Sequence, residues 1–170
     1  MREILGRRSV REYMDQDIPQ EEITRLLRAA MRAPSAVNQQ PWEFVVLRDR
    51  SLMKQIIRFH PYAKMLEQTP CAIVVCGDKQ RQPAHVAAYD FWVQDCSAAT
   101  QNLLLEAVHL GIGAVWLGVY PIEERVKGVQ ELLGLPEHVV PLSVVSLGYP
   151  AQPPQPVDTY QPERVHWEQW

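Results

Sequence analysis

Residues 33–42 read Ala33-Pro34-Ser35-Ala36-Val37-Asn38-Gln39-Gln40-Pro41-Trp42 and join a predicted helix to a predicted strand. Small side chains in this segment leave room for a flat ligand near the backbone. The three successive amides can both donate and accept hydrogen bonds, as the edge of a heterocycle requires. Connecting segments often carry binding residues. Taken alone, however, the same composition is typical of a polar connector with turn chemistry, which is the simpler interpretation.

The pattern on either side of this segment predicts the secondary structure. Residues 19–33 form a predicted helix, with Pro19 at its first position, one apolar stripe, and Pro34 after its end. Strands are predicted at 43–47, 71–76, 114–119 and 142–147, and further helices at 51–59, 89–110 and 123–133. Gly111 and Gly134 suit helix ends. Because helices and strands alternate incompletely, we expect an α+β sandwich with a mixed sheet.

Length and composition exclude several classes of protein. The chain has 170 residues, a hydrophobic fraction of 46% and a net charge of −3, which predict one globular domain and disfavour a nucleic-acid partner. No stretch approaches the roughly 20 apolar residues of a membrane span, so we expect a cytoplasmic protein without a membrane partner. The three cysteines lack the spacing of a disulfide framework, and the five dispersed histidines form no metal motif, so we predict no metal.

A second segment, Arg7-Arg8-Ser9-Val10-Arg11, has the chemistry of an anion site. Guanidinium groups and a hydroxyl at this spacing can hold a phosphate through charge-assisted hydrogen bonds. A solvated helix face is the simpler explanation of such a charge run. The Gly111-Ile112-Gly113 sequence is not a dinucleotide fingerprint, because it follows a predicted helix and precedes a strand.

The two segments together, in this order and separated by an amphipathic helix, resemble the nitroreductase family of flavoenzymes. The resemblance continues through residues 91–120 and the endings LGYP and RVHW, so it covers nearly the whole chain. It implies an α+β sandwich with a mixed, mainly antiparallel sheet flanked by helices, in an intertwined homodimer. It also implies FMN as cofactor, NADH or NADPH as co-substrate, and a small acceptor such as a nitroaromatic, a quinone or a flavin. A specialised flavoenzyme of the same fold (a dehalogenase or a flavin-fragmenting enzyme) and a flavin storage protein remain alternatives.

The same resemblance assigns cofactor contacts and no catalytic side chain. Arg7 and Ser9 would hold the FMN phosphate and ribityl chain with help from Arg8, and Arg11 would lie near the pyrimidine edge. The loop that contains Pro34, Ser35, Ala36 and Asn38 would reach the flavin from the other subunit. The backbone N–H of Gly118 would face the reactive nitrogen of the flavin. The remaining expected contacts are Gln40, Trp116, Leu117 and Arg164.

The end of the chain differs in character from the rest. Pro150, Pro153, Pro154 and Pro156 fall close together and predict an extended segment, although tryptophans follow it. We therefore expect one domain over residues 1–170, with 150–170 as an arm that docks on the partner subunit. Similar proteins often carry Lys or Arg in this arm, whereas here no cation precedes Arg164. Either Arg164 or the N-terminal arginines would then hold the phosphate, or it is held more weakly.

Overall fold

The computed structural model describes residues 2–87, 89–155 and 157–170, which form six helices, four strands and four short 3₁₀ turns. The predicted extended segment includes Pro156, which lies outside the described residues. In chain order the elements are α1 (Arg2–Gly6), α2 (Gln20–Ala30), β1 (Trp42–Leu47), α3 (Arg50–Ile56), β2 (Cys71–Asp78), α4 (Ala84–Ala87), α5 (Phe91–His109), β3 (Gly113–Gly118), α6 (Glu123–Leu133) and β4 (Val139–Gly148).

The four strands form one sheet in the order β1-β2-β4-β3. All three strand pairings are antiparallel, and the parallel component of the sheet is a single bridge between Ser9 and Ala114. The predicted mixed, mainly antiparallel sheet is thus present. β2 and β4 are central and almost entirely buried, whereas β1 and β3 lie at opposite edges.

Helices cover both faces of the sheet, and alternate residues of each strand therefore enter two different cores. Cys71, Ile73 and Val75 of β2 pack in the core that holds α2 and α5. Ala72, Val74 and Cys76 pack in the core that holds α3 and α6. This two-faced burial explains why the central strands are nearly continuous apolar runs. All three cysteines are free and buried, as core-filling thiols.

Helix ends account for most differences from the sequence-based elements. α2 begins at Gln20, one residue after Pro19, and ends at Ala30, because Arg32 and Ala33 bond to carbonyls three residues back in a tighter turn. α5 begins at Phe91 because Asp90 has a φ of 50°, and it ends at His109, before Gly111 at 72°. α3 likewise ends at Ile56, short of the predicted residue 59.

The C-terminal arm follows β4 and lies against the N-terminal segment. Pro150 bridges to Tyr13, and the Ala151 N–H donates to the Glu12 carbonyl at 3.0 Å. Beyond residue 157 the arm is exposed, with Trp167 at 85% and Trp170 at 101%. Within the described residues, no helix combines the length and apolar character needed to cross a bilayer.

Candidate functional site

The outer edge of β3 presents the backbone of Gly118 on the side away from β4. Backbone bonding to β4 includes the Val119 N–H, which donates to the Leu142 carbonyl at 3.0 Å. Because paired and unpaired residues alternate along an antiparallel strand, both backbone groups of Gly118 face away from β4. The carbonyl of Gly118 accepts hydrogen bonds from elements outside the sheet, which confirms this direction. Its N–H therefore points toward the same open edge.

Space is available in front of this residue. A Cβ atom added to Gly118 would meet no heavy atom within 4 Å. A pocket of about 370 Å³ opens at the same place. Its lining comprises Arg11, His60, Tyr62, Met65, Val115, Trp116, Leu117, Gly118 and Arg125.

The arginine-rich segment runs beside β3 and reaches this pocket. The Val10 N–H donates to the Ala114 carbonyl at 3.0 Å, so residues 9–11 follow the first half of the strand edge. Arg11 lines the pocket at Gly118 and also a neighbouring pocket of about 410 Å³. The second pocket is lined by residues of the two chain termini: Arg8, Ser9, Val10, Arg11, Glu12, Gln152, Pro154, Gln155 and Val157.

The three arginines of residues 7–11 differ in their partners. The Arg8 guanidinium donates to the carbonyls of Gln155 at 2.9 Å and Val157 at 2.8 Å, and thereby fastens the arm. Arg7 and Arg11 form no ion pair with a carboxylate of the described residues. Two uncompensated guanidinium groups in a chain of net charge −3 match the requirements of an anionic ligand.

Residues 34–40 form a tight loop that is anchored to α5. A 3₁₀ turn spans Ala36–Asn38, and the φ angles of Val37, Asn38 and Gln40 are 44°, 55° and 50°. The Asp95 carboxylate accepts from the Ala36 N–H at 2.9 Å. Its other oxygen is buried without a hydrogen-bond partner, and burial raises the pKa of Asp95. Asp95 of α5 therefore holds a strained loop in place.

This loop and the site at β3 lie next to different edge strands of the sheet. The loop leads directly into β1, which is the other edge strand. Pro34, Asn38 and Gln40 are exposed, while Ser35 and Ala36 are half-buried. The described linings of the two pockets at β3 include none of these five residues. One subunit thus brings Arg11 to residues 116–118, and residues 34–40 line neither pocket.

Arg164 also lies away from both pockets. It ends an exposed 3₁₀ turn, Pro162–Arg164, in the arm. It lines neither pocket, and it forms no ion pair with a carboxylate of residues 2–87, 89–155 or 157–170.

Sequence reasoning missed His60 and Arg125, the two side chains that bond to the Gly118 carbonyl. His60 Nε2 and Arg125 Nη1 each lie 2.9 Å from that oxygen. Since the carbonyl can only accept, Nε2 carries the proton. Burial, followed by the charge of Arg125, lowers the pKa of His60. Arg125 could have been found from its place in the first turn of α6, directly after β3. No sequence pattern around His60 indicates its contact with Gly118, which is 58 residues away.

Comparison with known proteins identifies the family of the chain. The model of the nitroreductase family matches residues 4–60 and 57–149. The chain belongs to the nitroreductase family. A relative from Archaeoglobus fulgidus, provisionally named NADH dehydrogenase/NAD(P)H nitroreductase, is 51% identical over 170 residues, which cover 98% of this chain and 96% of that one.

Solved structures of nitroreductase-fold proteins superpose on nearly the whole chain. A crystal structure from Clostridium acetobutylicum, provisionally named NADH oxidase, has a TM-score of 0.93 at 44% identity and covers 99% of both chains. A nitroreductase from Desulfovibrio desulfuricans, also provisionally named, was crystallised in complex with FMN. It has a TM-score of 0.82 at 29% identity and covers 99% of this chain and 96% of that chain.

Proposed function

We propose that this nitroreductase-family protein is an FMN-dependent oxidoreductase that passes electrons from NADH or NADPH to a small acceptor such as a nitroaromatic, a quinone or a flavin. The observation that carries the proposal is the open edge of β3 at Gly118, where Arg11 and Arg125 line one pocket without an ion-pair partner among the described residues. The Desulfovibrio relative was crystallised with FMN, and the Archaeoglobus relative is named for NAD(P)H chemistry.

The residue types assigned to this site suit FMN. Arg7 and Ser9 would hold the phosphate and the ribityl chain, with Arg8 close by, and Arg11 would lie at the pyrimidine edge, where a cation stabilises the reduced ring. The backbone of Trp116, Leu117 and Gly118 would border the ring, with the Gly118 N–H as donor. The open space at Gly118 supports this assignment, because a side chain there would project into the region that the ligand needs.

FMN, when bound, supplies the ring that accepts hydride from NAD(P)H and returns the electrons to the acceptor. The protein side chains bind and orient the reactants, and we assign none of them as an acid or base. The Gly118 carbonyl is held by His60 and Arg125, so the peptide that directly follows the proposed donor N–H is held before any ligand arrives. This fixed geometry is the contribution that preorganisation makes to catalysis.

We further propose that the second half of each site comes from a partner subunit in a homodimer. Pro34, Ser35, Ala36, Asn38 and Gln40 would contact the flavin bound at the β3 edge of the other copy. Their separation from that edge within one chain supports this arrangement. A C2 dimer would form two identical composite sites.

The arm at residues 150–170 would complete the dimer. Val157, Tyr160, Val165, Trp167 and Trp170 are 42% to 101% exposed, which is a large apolar area for one short segment. We propose that it docks on the partner subunit. Arg164 lines neither pocket of one subunit, so we assign the phosphate chiefly to the N-terminal arginines. The free, buried cysteines fit a reducing compartment, and we propose the cytoplasm as the location.

Complementation between two defective variants tests the composite site. One variant carries Arg7→Gln and Arg11→Gln. The other carries Asn38→Gly and Gln40→Gly, in which glycine suits the positive φ of both positions. Each homodimer should lose FMN, whereas the heterodimer, purified through two different tags, should bind about one FMN per dimer because one composite site is intact. A heterodimer that binds no FMN would contradict a shared site.

A further inference from the structure

The pocket at Gly118 has a positive lining. Arg11 and Arg125 are charged, and no aspartate or glutamate is among its described lining residues. His60 adds no charge near neutral pH, because burial and the charge of Arg125 lower its pKa. In a chain of net charge −3, this pocket concentrates positive potential on one side of the strand edge.

Two contacts hold the Arg125 guanidinium in this lining. Nη1 donates to the Gly118 carbonyl at 2.9 Å, and the guanidinium carbon lies 5.7 Å from the centroid of the Tyr62 ring. A planar guanidinium that is held this way keeps further N–H donors in a fixed fork. Arg125 forms no ion pair with a carboxylate of the described residues.

These contacts separate Arg125 from an ordinary surface cation. Lys127, in the same helix, pairs with Glu123 one turn away, as charged side chains on a helix surface can do. Arg125 is half-buried and rests on a neutral ring and a backbone carbonyl. Its charge is therefore available to a ligand.

We propose that Arg125, supported by Tyr62, binds an anionic oxygen group, a carboxylate or a phosphate, of the substrate that approaches the flavin on the Arg125 side of the pocket at Gly118. The inference rests on the proposed function and adds a substrate class to the same site. The group could belong to an aromatic acceptor that carries a carboxylate, or to the phosphates of the nicotinamide nucleotide. Arg125 is then a determinant of specificity as well as a support for the Gly118 peptide.

A pair of acceptors that differ mainly in charge tests the acceptor source. The ratio of kcat/KM for 4-nitrobenzoate over 4-nitrobenzamide is compared in wild type, Arg125→Gln and Arg125→Lys. The ratio should fall about fivefold to tenfold in R125Q, as expected for a hydrogen bond between charged groups in a partly open site. It should fall less in R125K, which retains the charge. Loss of support for Gly118 alone would lower both values equally and leave the ratio unchanged.

A binding measurement provides a readout that does not depend on turnover. Benzoate and benzamide cannot be reduced, and their dissociation constants are measured by the change that they cause in the absorption of bound FMN. Wild type should prefer benzoate, with a preference that weakens at high salt. Arg58→Gln is the matched control, since Arg58 is exposed, lies outside the pocket lining and changes the net charge equally.

The nucleotide source is tested by KM values for NADH and NADPH in the same variants. If R125Q raises KM for either nucleotide and leaves the acceptor ratio unchanged, the anionic group is the nucleotide phosphate. If neither the acceptor ratio, the benzoate preference nor the nucleotide KM responds to R125Q, the inference is wrong. Failure of the proposed function is distinguishable, because the wild-type protein would then retain no FMN whose absorption could be measured.

Discussion

Replacement of Gly118 by valine should weaken FMN binding at least tenfold and leave the fold intact. The backbone of Gly118 does not adopt a positive φ, and its added Cβ would meet no heavy atom within 4 Å. The free energy of unfolding of the cofactor-free protein should therefore change by less than about 0.5 kcal/mol, as for other substitutions that disturb no packed neighbour. β-branched residues are also well tolerated in strands.

The loss of FMN affinity follows from the same geometry. A valine side chain would occupy the open space in front of the strand and would force the ligand away from the Gly118 N–H. Loss of one such hydrogen bond costs about 1 kcal/mol, and crowding adds about 1 to 3 kcal/mol. We therefore expect the FMN dissociation constant to rise at least tenfold, since about 1.4 kcal/mol corresponds to that factor.

Fluorescence titration with FMN and denaturation with urea measure the two quantities separately. Gly148→Ala is the contrasting control, because its Cβ would lie 2.7 Å from ring atoms of Tyr13 in the packed interior. That variant should lose about 1 to 3 kcal/mol of stability through overpacking. Unchanged FMN affinity in G118V, at wild-type stability, would refute the placement of the cofactor at this edge.

Three further predictions follow from particular contacts. Arg8→Ala removes the hydrogen bonds to Gln155 and Val157, so limited proteolysis should cleave residues 150–170 at least several-fold faster; an unchanged rate would mean that other contacts hold the arm. Burial raises the pKa of Asp95 above its ordinary value of 3.8. The free energy of unfolding of wild type relative to Asp95→Asn, measured with urea, should therefore fall as pH rises from 3.8 through that raised pKa. A difference that stays constant with pH would refute this. Tyr13→Phe loses a 2.7 Å hydrogen bond to the Val10 carbonyl and should cost about 1 kcal/mol. Burial raises the pKa of Tyr13 to about 12, so wild type should lose between pH 10 and 12 a stability increment that Y13F does not have, and parallel pH profiles would contradict this.

The sequence predicted correctly those helices and strands whose limits are set by neighbouring residues. α6 spans Glu123–Leu133 as expected, because Gly134 adopts a φ of 62° and ends the helix. β2 was recognisable as a buried strand from its unbroken apolar run. The predicted ends of α2 and α5 were wrong, since a tight turn and a left-handed aspartate leave little trace in a residue pattern.

The candidate site was predictable only where its residues are adjacent in the chain. Residues 7–11 and 116–118 form compact patterns, and the structure places Arg11 beside Gly118. His60 bonds to Gly118 across 58 residues, and Asp95 holds Ala36 across 59, so neither contact has a signal in a single sequence. Long-range contacts of this kind depend on the topology of the sheet, which local periodicity does not specify.

The absorption spectrum of the purified protein, mixed with FMN and freed of excess ligand, tests the central claim most directly. The account predicts that FMN bands remain with the protein and that NADH or NADPH bleaches them in the absence of oxygen. Retained bands that neither nucleotide bleaches would contradict the assigned activity and favour flavin storage. A protein that retains no FMN would contradict the assignment of the β3 edge as a flavin site.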